Sequence, residues 1–240
     1  MPEDLPKRPK LLIVSDTAVY VDNEGRYLAF EPVVREIEHF AHLFSSITWV
    51  AFSYPLNRTT GNMREIQTVS VKYHLFPAVG GPGIHNRLKI IREYLRLTVL
   101  LPKYIDKADV SHSRGPSHPA VLTVIFSILF FRHKIFWHKY AGNWTRKDDP
   151  FSYRFNKFFL KQARRTIVTI NGSWSDQYPH ILSFENPSLT NQERSDGSDA
   201  IGIKSYNDKL DFVFIGYMID SKGAGKVIEA FGKLKKNPRI

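Results

Sequence analysis

Short apolar runs alternate along this chain with longer stretches whose apolar residues recur at helical spacing, and that alternation predicts a succession of strands and helices. Lys10–Ser15 (KLLIVS) is a continuous apolar run bounded by Pro9 and Asp16, the pattern of a strand buried on both faces. A polar, glycine-bearing loop, Asp16–Glu31, is expected next. Pro32 then opens a helix in which Val33, Ile37, Phe40, Ala41 and Phe44 share one side, with Arg35, Glu36 and Glu38 on the other. Further strands are predicted over Ile47–Ser53, Val69–Val79, Ala108–Ser113, Lys134–Tyr140 and Thr166–Asn171, and a last one, after a short helix, ends at Asn186 and Pro187. Helices are predicted over Asn86–Lys107, His118–Phe131 and Pro150–Arg165, the last with Phe151, Phe155, Phe158, Phe159 and Leu160 facing inward.

Strands alternating with helices, without hairpin turn signals, specify an α/β fold: a Rossmann-like parallel sheet with helices on both faces. Ligands in such sheets sit at the carboxyl ends of the strands. The loops to inspect are therefore Asp16–Glu31, Ser113–His118 and Ala141–Pro150.

From residue 187 to residue 209 the chain turns polar and poor in large apolar side chains, which divides it into a first domain, 1–187, a linker, 188–209, and a segment 210–240 in which the strand pattern restarts. There LDFVFIG reads as a strand ending in Gly216, a loop carries Lys222, and Ala224–Leu234 reads as a helix with Val227, Ile228, Ala230, Phe231 and Leu234 inward. A strand end, a lysine and a helix N-terminus converge where a diphosphate could bind. A lone βα unit of roughly 30 residues buries too little apolar surface to offset its conformational entropy. Weak order is expected there, as in the opening of a domain whose remainder is absent.

Composition narrows the function classes. A hydrophobic fraction of 42% supplies a core, and the absence of cysteine excludes disulfides, thiolate metal sites and cysteine nucleophiles. The net charge of +11 calls for an anionic partner: phosphate-bearing ligands, nucleic acid or an acidic membrane leaflet. In the basic segment Asn86–Lys107, Leu88, Ile91 and Leu95 form one stripe flanked by Lys89, Arg92 and Arg96. It reads either as a packed helix with a solvated rim, the favoured reading, or as a contact with an anionic membrane. The apolar run 120–131 has 12 residues, short of the ~20 that cross a bilayer. The polar start MPEDLPKRPK has no leader character, so a cytoplasmic location, peripheral on the inner face of the membrane, is expected.

Common catalytic signatures fail. Gly225-Lys226 has Asp220 and Val227 where a P-loop needs glycine and a hydroxyl residue, and VGGPGIHN does not complete G-x-G-x-x-G. His39 and His42 share a helix face but lack carboxylate company, so no metal site is expected. His138, near the end of a buried strand and ahead of a glycine-bearing loop, is expected to emerge at the ligand-bearing edge.

The segment FVFIGYMIDSKGAGKVIEAFGKL resembles the first βα unit of the C-terminal domain in glycosyltransferases of the GT-B fold, group 1 type (family four). Upstream, VVREIEHFAHLF, ADVSHSRGPSHP, KIFWHKYAGNW and ILSFENPS follow that family's order, so the likeness spans the whole chain. It implies a retaining-type enzyme with no cofactor beyond its nucleotide-sugar substrate, working in surface polysaccharide or glycolipid synthesis. The first domain would take a lipid-linked or saccharide acceptor, and the second the donor. By that likeness Gly216 and Lys222 hold the donor diphosphate, Gly25, Arg26, Gly142 and Asn143 belong to acceptor and phosphate loops, and His138 is the catalytic histidine. The family's paired glycines are missing near Gly25, Ala141 stands before Gly142, Tyr217 replaces an arginine, and the E-x7-E element would lie beyond Ile240. Two alternatives stand beside this reading: an incomplete domain acting only with a partner chain, and a basic nucleic-acid-binding protein, disfavoured because its cations are dispersed and no nucleic-acid motif accompanies them.

Overall fold

In a computed structural model of the chain, the described residues are 8–54, 62–67, 71–79, 83–146, 148–174, 177–186, 189–204, 212–216, 218 and 220–235. They fall into two compact units, Met1–Ser188 and Leu189–Ile240.

The first unit is α/β. Its parallel strands are β1 (Lys10–Val21), β3 (Ser46–Tyr54), β5 (Val71–Pro77), β6 (Val110–Gly115), β7 (Ile135–Tyr140), β8 (Ile167–Asn171) and β9 (Ile181–Phe184), in the order β5-β3-β1-β6-β7-β8-β9. Two short antiparallel strands extend the far end of β1: β2 (Tyr27–Phe30) pairs with β1, and β4 (Met63–Arg64) pairs with β2. The helices are α1 (Glu31–Ala41), α2 (Ile84–Lys107), α3 (His118–Leu129) and α4 (Phe151–Gln162). The result is a mostly parallel, mixed sheet of the Rossmann-like kind.

Strand side chains alternate between faces, so one strand feeds two cores. Leu11 and Ile13 pack with Ile47, Trp49 and the α1 residues Val34, Ile37 and Phe40. Leu12 and Val14 pack on the opposite face with Leu97, Leu101 and Ile105 of α2 and Phe126 of α3. A third cluster joins Tyr140, Val168 and Ile170 to Val124 and Leu160. Helices therefore cover both faces.

The segment Asp16–Glu31 is not the expected loop. β1 continues through it to Val21 with a register shift between Val14 and Ala18, turns at Asp22–Arg26 and returns as β2. Val19 and Tyr20 are buried, which is what keeps the strand going. The Asp22 carboxylate accepts the amides of Glu24 (3.0 Å) and Arg26 (2.8 Å), and Gly25 takes a φ of 79° that favours glycine. The turn escaped notice because it is longer than a two-residue Asn-Gly or Asp-Gly hairpin.

Three helix faces also differ from expectation. Glu36 is buried rather than on the outer side of α1. On α4, Asn156 and Leu160 are buried while Phe151, Phe155 and Phe158 are exposed. On α2 the stripe of Leu88, Ile91 and Leu95 faces outward, and Leu97, Leu101 and Ile105 face the sheet. No helix forms among the described residues between Ser173 and His180.

In the second unit the expected linker is largely a helix, α5 (Asn191–Gly202). A capping box starts it: the Thr190 hydroxyl accepts from the Glu193 amide (3.1 Å), and the Glu193 carboxylate accepts from the Thr190 amide (2.6 Å). Residues 212–216 form no ladder with any described strand, so the expected strand is not observed there; Tyr217 lies outside the described residues. A single 3-10 turn, Asp220–Lys222, leads into α6 (Ala224–Lys235). Ile228 and Leu234 are exposed rather than inward, and Phe231 meets Phe212 at 5.1 Å between ring centroids. Among the described residues no sheet stands beside α6 in this unit to bury Ile228 and Leu234. Chymotrypsin is expected to cut at Phe212 or Phe214 before it cuts the strands of the first unit; mass spectrometry of early fragments checks this, and an intact segment 212–235 after the first unit is degraded would refute it.

Candidate functional site

A cavity of about 590 Å³ opens beyond the carboxyl end of β6 and beside Asp16 at the register shift within β1, on the side of the sheet where a parallel α/β fold places its ligands. Pro116 and Ser117, which follow Gly115 at the end of β6, line it. Gly115 has no room for a side chain without crowding, because a Cβ would lie 3.2 Å from the Asn156 amide nitrogen. Ser117 caps α3: its hydroxyl accepts from the Ala120 amide (3.3 Å) and donates to the Arg114 carbonyl (3.1 Å). Val121, Leu122 and Ile125 of α3 and Phe151 and Phe155 of α4 supply apolar walls.

Its polar lining includes Asp16, Tyr94, Ser117, His118 and Tyr153. The Tyr94 and His118 rings are 5.2 Å apart. Asp16 is exposed at its surface, yet enough protein surrounds its carboxyl that desolvation raises it above its ordinary value, against a backbone hydrogen bond and the charges of His118 and Arg114. Desolvation, with the nearby Asp16 charge, pushes the Tyr94 phenol up to about 12. A carboxylate of raised pKa beside a histidine and two tyrosines can accept a hydroxyl hydrogen bond and exchange a proton with it.

Beside this cavity lies a buried charged cluster that sequence reasoning missed. Glu36 of α1 receives Arg114 of β6 through Nη1 and Lys139 of β7 through Nζ at 2.8 Å. Lys139 also donates to the Asn186 side-chain oxygen (2.5 Å) and lies 3.9 Å from the Phe184 ring centroid. One carboxylate thus serves two cations. Burial lowers the Lys139 ammonium to about 8, with Glu36 acting in the opposite direction.

His138 does not reach the ligand edge. It is fully buried on the α3 face of the sheet, held between two serines. The Ser127 hydroxyl donates to the Val124 carbonyl (2.7 Å), so at 3.1 Å it can only accept from His138 Nε2–H; the Ser113 hydroxyl then donates to Nδ1 at 2.7 Å. Those bonds select one neutral tautomer, and burial holds the pKa near about 3. The histidine that reaches the cavity is His118.

The other sequence-derived residues occupy turns. Arg26 pairs with Asp22 (2.7 Å) and Glu24 (3.2 Å) at the tip of the β1-β2 hairpin. Gly142 packs on Tyr140, whose ring would meet a Cβ at 2.9 Å, and the Asn143 side-chain oxygen accepts from the Thr145 amide at 3.1 Å. None of Gly25, Arg26, His138, Gly142 and Asn143 lines the cavity. Gly216 and Lys222 do come together in the second unit, where a Cβ on Gly216 would lie 4.0 Å from that of Lys222, just ahead of α6. Asp16 and the Ser117-His118 pair fall within or at the ends of two loops singled out by the strand-end rule; Tyr94 and Tyr153, on helices, carried no such signal.

Among the described residues no three His, Asp or Glu side chains gather closely enough to hold a metal ion, and no described helix is long and apolar enough to cross a membrane. No protein-family model matches the chain, and no curated protein matches it, so the residues and their geometry carry the functional reading.

Proposed function

We propose that this chain is the whole or a part of a retaining glycosyltransferase of the GT-B kind, with the acceptor taken by the first unit and a nucleoside-diphosphate sugar by the second. The observation that carries the reading is the cavity beyond the carboxyl end of β6 and beside Asp16 of β1. Its lining combines a carboxylate, a histidine and two tyrosines with an apolar wall, which suits a hydroxyl-bearing acceptor that has an apolar portion. In this reading Asp16 accepts a hydrogen bond from the acceptor hydroxyl. Lys222 and the leading amides of α6 meet the charge that develops on the departing diphosphate. His138 acts through the core rather than on substrate.

Titration calorimetry of the purified chain against a panel of uridine, guanosine and thymidine diphosphate sugars tests the reading. Binding of at least one, weakened about tenfold by Lys222→Ala through loss of a charge-assisted contact, is expected. Failure of every donor to bind refutes it.

A second reading is favoured by one observation. Val213 and Ile215 are 81% and 91% exposed and lack strand neighbours among the described residues. An exposed apolar segment of that kind is suited to pairing with a strand from a partner polypeptide, which would complete the donor side. Co-purification with such a chain, and donor binding only in its presence, would select this reading.

A further inference from the structure

Helix α2 carries an apolar stripe that no described residue of the first unit covers. Ile84, Leu88, Ile91, Leu95 and Val99 recur at intervals of three and four residues and are each 55–79% exposed. The opposite side of the same helix holds Leu97, Leu101 and Ile105 in the core, so the outward stripe is surplus to the packing of the fold. Single exposed apolar residues are ordinary, but five in register along one helix are not.

Charge identifies the occupant. Lys89, Arg92, Arg96 and Lys103 flank the stripe and are exposed. Between Ile84 and Val99 the sole acid is Glu93, which is buried and turned to Arg92 (2.8 Å) and Arg96 (3.6 Å). At about 100° per residue the four cations fall together along one edge of the stripe, away from Tyr94 and Thr98, and Asp106 in the last turn of α2 is an exposed carboxylate on the same face. A protein surface recruiting this face would need a row of acids set beside an apolar groove, whereas an anionic bilayer presents an apolar interior beneath a continuous sheet of negative charge. At 24 residues α2 extends about 36 Å, and its charges forbid spanning, so it would lie in the membrane plane.

The patch continues past the helix. Tyr94 and Thr98, beside Leu95 and Val99 on α2, line the cavity, and across it stand the exposed rings of Phe151 and Phe155.

We propose that the first unit docks on an anionic lipid surface through the outward stripe of α2, with Lys89, Arg92, Arg96 and Lys103 among the phosphate headgroups. Docking brings the cavity mouth to the level of the lipid.

Cosedimentation of the full 240-residue chain with vesicles of phosphatidylcholine, alone or with part replaced by phosphatidylglycerol, tests this. The chain should sediment with the phosphatidylglycerol vesicles and much less with phosphatidylcholine alone, and added salt should weaken the binding. Leu88→Gln combined with Leu95→Gln should lower the partition coefficient by at least about tenfold, and Lys89→Gln by about fivefold. These positions are outside the core, so an unchanged thermal melt confirms that the variants are folded. Ile91→Trp offers an independent readout, a blue shift of indole emission when anionic vesicles are added. Three results would overturn the proposal: no sedimentation with phosphatidylglycerol vesicles, equal partition of the double variant and the parent, or a dimer in sedimentation velocity that the double variant abolishes.

Discussion

Glu36→Gln should destabilise the first unit by about 3–5 kcal/mol, because it strands the Arg114 guanidinium and the Lys139 ammonium beside a neutral amide in the interior. Urea denaturation followed by circular dichroism measures this. Lys139→Met should cost less, since it leaves Glu36 and Arg114 as a balanced pair. Combining Glu36→Gln with Lys139→Met should recover part of the loss, since only one cation is then uncompensated. A double variant no more stable than Glu36→Gln alone would refute the shared-carboxylate account. The pH dependence has a definite sign. With the folded Lys139 pKa at about 8 and the unfolded value at 10.5, the unfolded chain holds the extra proton between them, and stability rises with pH over that window. Removal of Glu36, which raises the Lys139 pKa, should extend the window downward.

Acid should unfold the first unit sooner than its carboxylates alone would dictate. His138 is held near about 3 and His112 well below its ordinary 6.5, in both cases chiefly through desolvation. Below pH 6.5 the unfolded chain takes up protons that the folded chain refuses. The stability that the neutral rings allow is complete above 6.5 and is lost as pH falls toward the folded values, by about 1.4 kcal/mol per pH unit for each ring. His112 stacks on Trp137 at 3.9 Å between ring centroids and gives its Nδ1 proton to the Trp137 carbonyl at 3.0 Å. His112→Phe keeps a ring in that place and removes one titrating group, so the histidine part of the slope between pH 6 and pH 5 should fall by about half. An unfolding free energy that is flat from pH 7 to pH 5 would contradict this account.

The sheet was legible where strands covered on both faces are nearly continuous apolar runs, as at residues 11–14, and less so at β6 and β7, which bury serine, histidine, arginine and lysine. The hairpin was not, because its outward positions Asp16, Thr17 and Val21 look like loop when strand status depends on neighbours in β2 and β3. Helix faces failed for a related reason. Periodicity shows that Leu88, Ile91 and Leu95 share a side, but not that Leu97, Leu101 and Ile105 compete for the sheet and win it.

Of the candidate site, the strand-end rule located the loops and hence Asp16, Ser117 and His118. It could not choose between His118 and His138, since that depends on how a strand is cut off by its turn. The side chain of His138 faces α3, where Ser127 fixes it, and no spacing in the sequence discloses that helix-to-strand pairing. Glu36 is comparable: beside Arg35 and Glu38 it reads as solvated, and its burial follows from cations about 80 and 100 residues distant.

The first strand carries a cost during biosynthesis. Leu11 of β1 is aligned with Val110 of β6, so one edge of this interior strand waits for about 100 further residues to be translated. At ordinary elongation rates of 5–20 residues per second that is roughly 5–20 s. The β2 ribbon emerges within moments and covers the end of β1, while the Leu12 and Val14 side chains stay uncovered until α2 and α3 have been made.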